Sequence, residues 1–190
     1  TIDDTDRRIL TLLQDNARIS QSDIAKAVGL APSAVMERIR KLETRGILTT
    51  FGSPIYKDNI PAEDDIVVER MRRAGGIIIG KTNTPEFGAG SQTFNTIFGS
   101  TRNPYDLTKT CGGSSGGAAV ALACGFAPVA SGSDTGGSLR NPAAFCNVVG
   151  FRPSPGRVPN PRASFAWSTL STSGCLGRSV TDLAFALSTI

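Results

Sequence analysis

Two glycine-rich stretches in this chain bring serines into spacings suited to acyl chemistry. The first is Gly112-Gly113-Ser114-Ser115-Gly116-Gly117. The second is Gly132-Ser133-Asp134-Thr135-Gly136-Gly137-Ser138-Leu139-Arg140. A nucleophilic serine needs a base, and the chain contains no histidine. That excludes a Ser-His-Asp or Cys-His group within the chain, and with it histidine-ligated metal sites. The four cysteines, Cys111, Cys124, Cys146 and Cys175, form no C-x-x-C pair, so neither a zinc site nor a redox motif is expected. No metal and no cofactor are expected.

Taken alone, GGSSGG has several readings. It satisfies G-x-S-x-G with Ser114 or Ser115 at the centre, as in the nucleophile elbow of an α/β-hydrolase. That elbow needs a buried strand before it and a histidine base. Here the preceding residues, Pro104 to Lys109, are polar. A phosphate loop lacks its Gly-Lys-Ser/Thr. A flexible Gly/Ser turn is the plain alternative. Without histidine, the available base is a neutral lysine, which burial in apolar surroundings produces. Lys81 ends the run GGIIIG and is placed for that role, although an isolated lysine at a strand end is commonly just solvated. Small residues before Ser138 leave backbone N–H groups free to converge, as an oxyanion hole requires. Lys81, Ser114 and Ser138 are separated by 33 and 24 residues.

These residues need elements to hold them, and the 190-residue chain changes character near position 47. Residues 1–47 carry 15 of the 36 charges but only two of the 21 glycines, Gly29 and Gly46. The remainder is glycine-rich and weakly charged. Two domains are expected, 1–47 and 48–190. In the first, Ile9, Leu10 and Leu13 repeat at helical spacing after Asp3, Asp4 and Asp6. Ser20 with Asp23 resembles a capping box, and Pro32 opens a third helix reaching about Arg45. Helix, helix, glycine turn and basic helix is the layout of a helix-turn-helix, and an ordinary three-helix bundle with a solvated face shares it. The second domain alternates helical and apolar extended segments. Helices are expected at Pro61–Arg73, Gly116–Cys124 and Ser138–Phe145. Strands are expected at Ile77–Ile79, Ala127–Ser131 and Val148–Phe151. This is an α/β pattern with some parallel sheet.

The wording of both segments is specific. DDTDRRILTLLQDNARISQSDIAKAVGLAPSAVMERIRKLETRGI resembles the DNA-binding half of the leucine-responsive/AsnC regulators. The resemblance implies a recognition helix with Ser33, Ala34, Glu37, Arg38 and Lys41 at or near the major groove. IGKTNTPEF, CGGSSGGAAVALA and GSDTGGSLRNPAAFC, in that order, resemble the amidase signature family from about Thr49 to Ile190. That implies a partial amidase-signature α/β core, a mixed sheet with flanking helices, behind a small all-α helix-turn-helix. It further implies a Ser-Ser-Lys triad. Ser138 is the nucleophile, Ser114 the bridging serine after a cis peptide, and Lys81 the base. Thr135, Gly136, Gly137 and Ser138 offer oxyanion amides. Asp134, Arg140 and Ser115 support them or touch substrate.

Three functions follow as expectations. The first is an amidase cleaving carboxamide C–N bonds, with a small-molecule amide as substrate and activity dependent on how much of the domain is present. The second is a regulator of the AsnC type that binds duplex DNA through residues 1–47, with the amidase segment as scaffold. The third is a fusion product with neither activity. Net charge is +4, too mild to argue for nucleic acid by itself. Scattered thiols without a leader fit a reducing cytoplasm, and no apolar run is long enough to span a bilayer. Oligomeric state is not legible.

Overall fold

The computed structural model describes residues 3–15, 19–44, 47–161 and 168–190; the side chains of residues 10, 13–15, 37 and 40–44 also lie outside the described set. The chain divides into two units, residues 1–46 and 47–190. In the first, α1 (Asp4–Asp15), α2 (Gln21–Val28) and α3 (Pro32–Thr44) follow one another. Local chemistry sets their ends. Asp3 and Asp6 accept each other's backbone N–H at 2.8 and 3.2 Å, a reciprocal cap at the start of α1. Ser20 accepts the Asp23 N–H at 3.1 Å, and Gly29 closes α2 at φ 70°. Ile9, Ile24, Ala25 and Val35 are buried at the centre, with Leu12, Ile19, Val28, Leu30 and Ile39 packed around them.

The predicted groove-facing residues of α3 have different fates. Ser33 is exposed and Ala34 half-buried. The side chains of Glu37 and Lys41 lie outside the described residues, as do Arg45 and Gly46. Arg38 differs from expectation. Its Nη1 donates to Asp3 at 2.6 Å and to Asp6 at 2.8 Å, so the guanidinium ties α3 to the start of α1. Asp6 is buried and Asp3 half-open. The hydrogen bond from Arg38 holds the Asp3 carboxyl below its usual range, and Asp3 and Asp6 raise the proton affinity of Arg38.

The second unit opens with a loop, residues 49–60, closed by Thr49 N–H to Asn59 O at 2.8 Å and Asn59 Nδ2 to Thr49 O at 2.9 Å. Phe51, Tyr56 and Phe87 stack edge-to-face on it, with centroids 5.4 and 6.1 Å apart. Helix α4 (Ile66–Arg73) starts later than Pro61 because Asp65 caps the Val67 N–H at 3.1 Å. A short hairpin follows, β1 (Phe94–Asn95) with β2 (Gly99–Ser100). Then come α5 (Gly116–Ala123), β3 (Val129–Asp134), α6 (Arg140–Phe145), β4 (Val149–Phe151), β5 (Thr172–Gly177) and α7 (Val180–Thr189).

Two expectations about strands are corrected. Ile77–Ile79 forms no strand; Ile77 and Ile79 are 55% and 57% exposed, and no described segment pairs with them. A β-branched run supplies propensity, but a strand exists only with a ladder partner. The sheet order is β3-β5-β4, with both outer strands antiparallel to β5, so among the described residues no two neighbours are parallel. The β3–α6–β4 unit does run in one direction, as alternation suggested, but β5 is inserted between its strands. The core lies where α5 and α6 cover this sheet, on Cys111, Ala118, Ala119, Leu122, Leu139, Ala143, Cys146 and Leu176. Val67, Val158, Cys175, Ala186 and Ile190 form a second cluster against α4 and α7. Among the described residues no helix is long and apolar enough to cross a membrane.

The Arg38 geometry yields a first prediction. Arg38→Ala should lower the urea midpoint of the helical unit, through loss of charge-assisted hydrogen bonds, one to a buried carboxylate. Urea unfolding followed by helical circular dichroism checks it. An unchanged midpoint would mean that the bridge contributes nothing.

Candidate active site

Ser138 stands four residues beyond the end of β3, and the loop before it is shaped by Asp134. That carboxylate is fully buried. Oδ1 accepts the Gly137 N–H at 2.8 Å, Arg140 Nη2 at 2.9 Å and Arg152 Nη1 at 2.9 Å. Oδ2 accepts the Leu139 N–H and Arg140 Nε, at 3.1 and 3.0 Å. Burial alone pushes the carboxyl upward in pKa. The Arg140 guanidinium, the two amides and Arg152 outweigh it and hold Asp134 well below the usual carboxylate range. Gly137 sits at φ 116°, and a Cβ there would lie 2.7 Å from the Asn141 amide, so the loop requires glycine.

This arrangement sorts the predicted oxyanion donors. The Gly137 amide is committed to Asp134, a departure from its expected role. Among the described residues the amides of Thr135, Gly136 and Ser138 donate to no other protein group. Thr135 and Gly136 are exposed and Ser138 is half-buried. Arg140 is half-open, with its fork on Asp134.

Ser114 is buried, and the Gly113–Ser114 peptide is cis. Ser115 links the two serine loops: its N–H donates to Ser138 O at 3.4 Å and its hydroxyl to Ser133 O at 3.3 Å. Gly132 makes this approach possible, since a Cβ there would stand 2.7 Å from Ser115 Oγ. The first serine loop is held from behind by residues that the motifs did not single out. Thr93 Oγ1 donates to Gly112 O at 2.8 Å and accepts the Gly116 N–H at 3.1 Å. Thr84 Oγ1 donates to Ser114 O at 3.3 Å. Asn95 Nδ2 donates to Thr84 O at 2.7 Å, and Asn83 Nδ2 to Thr101 Oγ1 at 3.0 Å. The signal for Asn83 and Thr84 was their place within IGKTNTPEF; Thr93, Asn95 and Arg152 carried none.

Lys81 is where expectation and geometry part. Its Nζ donates to Thr49 Oγ1 at 3.1 Å, and among the described residues it makes no hydrogen bond to Ser114. The residue is exposed, yet loss of water around the amine lowers its proton affinity, with Asp65 opposing. The second unit has two further lysines: Lys57, exposed in the 49–60 loop, and Lys109, paired with Asp106 at 3.3 Å. The cysteines are free. Burial pushes the Cys146 thiol up to about 11 and Cys175 up to about 12, so neither is a thiolate nucleophile at neutral pH. What the arrangement offers is a half-buried hydroxyl beside three free amides, and a second, buried hydroxyl on the adjoining loop.

Comparison with known proteins gives two family matches that overlap at residues 40–49. Residues 40–190 match the family model described as Amidase, and residues 2–49 match that of winged helix-turn-helix DNA-binding domains. A glutamyl-tRNA(Gln) amidotransferase subunit of Alkaliphilus metalliredigens is 45% identical over 170 residues, 90% of this chain and 34% of the relative. Its counterpart from Halothermothrix orenii is 44% identical over 191 residues, 100% of this chain and 39% of the relative. Among solved structures, the corresponding amidotransferase subunit from Thermotoga maritima has a TM-score of 0.70 at 40% identity, covering 77% of this chain and 32% of that one. A 6-aminohexanoate cyclic dimer hydrolase complexed with substrate has a TM-score of 0.76 at 30% identity, covering 99% and 46%. The chain thus spans between 34% and 39% of the length of those two curated relatives.

The Asp134 geometry predicts a pH dependence. A carboxyl whose folded pKa is depressed contributes stability that is complete above its unfolded value, about 3.9, and is lost as pH falls through the folded value. Wild-type stability from this source should therefore be flat near neutrality and decline below about pH 4. Asp134→Asn should lose about 3 kcal/mol at pH 7, and the gap to wild type should narrow on acidification. Denaturant titrations at several pH values check it; a gap that widens toward acid would refute the charge assignment.

Proposed function

The chain belongs to the amidase family through residues 40–190, and we propose that this segment cleaves a carboxamide C–N bond through an acyl-serine intermediate. The observation that carries the reading is the joint between the serine loops, where the Ser115 N–H meets the Ser138 carbonyl beside the free amides. In the proposed reaction Ser138 Oγ attacks the amide carbon and passes its proton to Ser114 Oγ as Ser114 hands its own to the neutral Lys81 amine. The developing oxyanion is met by the amides of Thr135, Gly136 and Ser138. The tetrahedral intermediate collapses as the leaving nitrogen takes a proton back from the Ser114 side. Water then releases the acid from Ser138.

The base in this reading is Lys81. To serve, its amine exchanges the Thr49 hydroxyl for Ser114, one hydrogen bond for another. Its partial loss of water favours the neutral form. Lys57, in the loop that Thr49 closes, is the comparison lysine. The amide substrate is a small molecule, and the site needs no cofactor or metal for these steps.

A fluorophosphonate probe tests the nucleophile, oxyanion amides and base together. Wild type should be labelled, and Ser138→Ala should not; a label that persists in Ser138→Ala removes the nucleophile assignment. Ser114→Ala and Lys81→Met should each slow labelling by about 100-fold or more, with Lys57→Met near wild type. The reverse order of the two lysine variants would move the base to Lys57.

A second reading rests on the match of residues 2–49 and on the exposed Ser33 at the start of α3. In it, residues 1–47 bind duplex DNA in the AsnC manner, with α3 in the major groove. Because Arg38 is engaged within the unit, Lys41→Ala is the cleaner probe of contact. Binding to duplex DNA should fall steeply with salt, and Lys41→Ala should reduce the log–log slope by about one. No binding at low salt would reject this reading.

A further inference from the structure

Arg152 follows β4 directly, and no step of the proposed reaction uses it. Its guanidinium spans two segments. Nη1 donates to both the carbonyl and the carboxylate of Asp134, the latter at 2.9 Å. Nη2 donates to the carbonyls of Leu170 at 3.0 Å and Thr169 at 3.3 Å. The side chain is 21% exposed, against 54% for Arg140, which grips Asp134 alone. The β3–β5 ladder ends at the pair Asp134–Thr172. Beyond that pair the two chains are joined by the Arg152 fork and by Thr135 Oγ1, which donates to Ser171 Oγ at 3.0 Å. Thr135 carries one of the free amides, so residues 169–171 border the oxyanion loop.

We infer that Arg152 is a positioning residue for acylation, fastening the loop that carries Ser138 to residues 169–171 and making that segment a wall of the acyl site. Its consequence for catalysis rests on the acyl-serine reading above; the fastening itself does not. A planar guanidinium can hold both segments at once, whereas the point charge of a lysine in its place reaches one of them. Arg140 supplies the internal control, because it shares the carboxylate but not the second segment.

Hydrogen exchange of the full chain, read by mass spectrometry, tests the fastening. Arg152→Ala should speed exchange in residues 135–140 and also in 168–171. Arg152→Lys should restore the first and leave the second fast. Arg140→Ala should affect the first alone. The inference falls if residues 168–171 are unchanged in both Arg152 variants, or if Arg140→Ala loosens them equally. Fluorophosphonate labelling of Ser138 tests the positioning. Arg152→Ala should be slower by roughly tenfold or more, and Arg152→Lys intermediate. Wild-type labelling rates in both variants would overturn the positioning role. If wild type itself is not labelled while the exchange pattern holds, the acyl-serine reading fails and the fastening stands.

Discussion

A single buried carboxylate organises the second unit of this molecule. Asp134 is shut off from solvent, and an ionised group in that setting is tolerated only when its lone pairs are filled. Two guanidinia and two backbone amides fill them. Each bond also fixes a part of the loop or of its surroundings. The Gly137 and Leu139 amides tie the loop to the carboxylate on either side of Ser138, which is half-buried between them. Arg140 anchors the first turn of α6. Arg152 brings in the approach to β5. The charge is therefore a scaffold: it takes up the amides of Gly137 and Leu139 and leaves those of Thr135, Gly136 and Ser138 free.

Around this knot, side-chain size rather than charge decides the geometry. Helix α5 is built almost wholly from glycine and alanine, with Leu122 buried among them. Small residues let its first turn approach β3 closely enough for Ser115 to reach both Ser133 and Ser138. Gly132 and Gly137 mark the two places where a methyl group would separate the serine loops or displace Asn141. Interiors packed at crystal-like density transmit such a displacement rather than absorb it. The hydroxyls of Thr84 and Thr93 complete the fit from behind, satisfying loop carbonyls that burial would otherwise leave unpaired.

Long cations were the least predictable parts, and for one reason. Arg38 and Lys81 each have several rotatable bonds, and each settles on the nearest acceptor that tertiary packing supplies. For Arg38 these are Asp3 and Asp6, more than 30 positions away in the chain. For Lys81 it is the hydroxyl of Thr49. Helical spacing places the Arg38 backbone on α3, and residue order places Lys81 directly after the GGIIIG run. Neither says where a flexible charged tip comes to rest. Residues with short side chains, such as Ser138 and Ser114, leave far less to packing, because the backbone carries them to their sites.

Much was legible from residue order alone. The change in charge and glycine content near position 47 falls beside the boundary between units. Caps at Ser20 and Gly29, the stripe of Ile9, Ile24 and Val35, and the helices that begin near Gly116 and Arg140 all follow from local propensity and periodicity. The absence of histidine and the two glycine–serine motifs single out Ser114 and Ser138 in the sequence. Strand β5 is not legible in residue order because Thr172–Gly177 is small and glycine-rich, without the alternation that marks a strand. Ile77–Ile79 erred the other way, having the propensity but no partner. The sequence by itself determined local conformation and the inventory of reactive groups, since those depend on neighbours along the chain. Tertiary structure alone decided that β5 sits between β3 and β4, that the Gly137 amide serves Asp134, and that Arg152 joins two distant segments. Those outcomes depend on which unpaired polar groups meet once the chain is packed, and residue order does not encode such meetings locally.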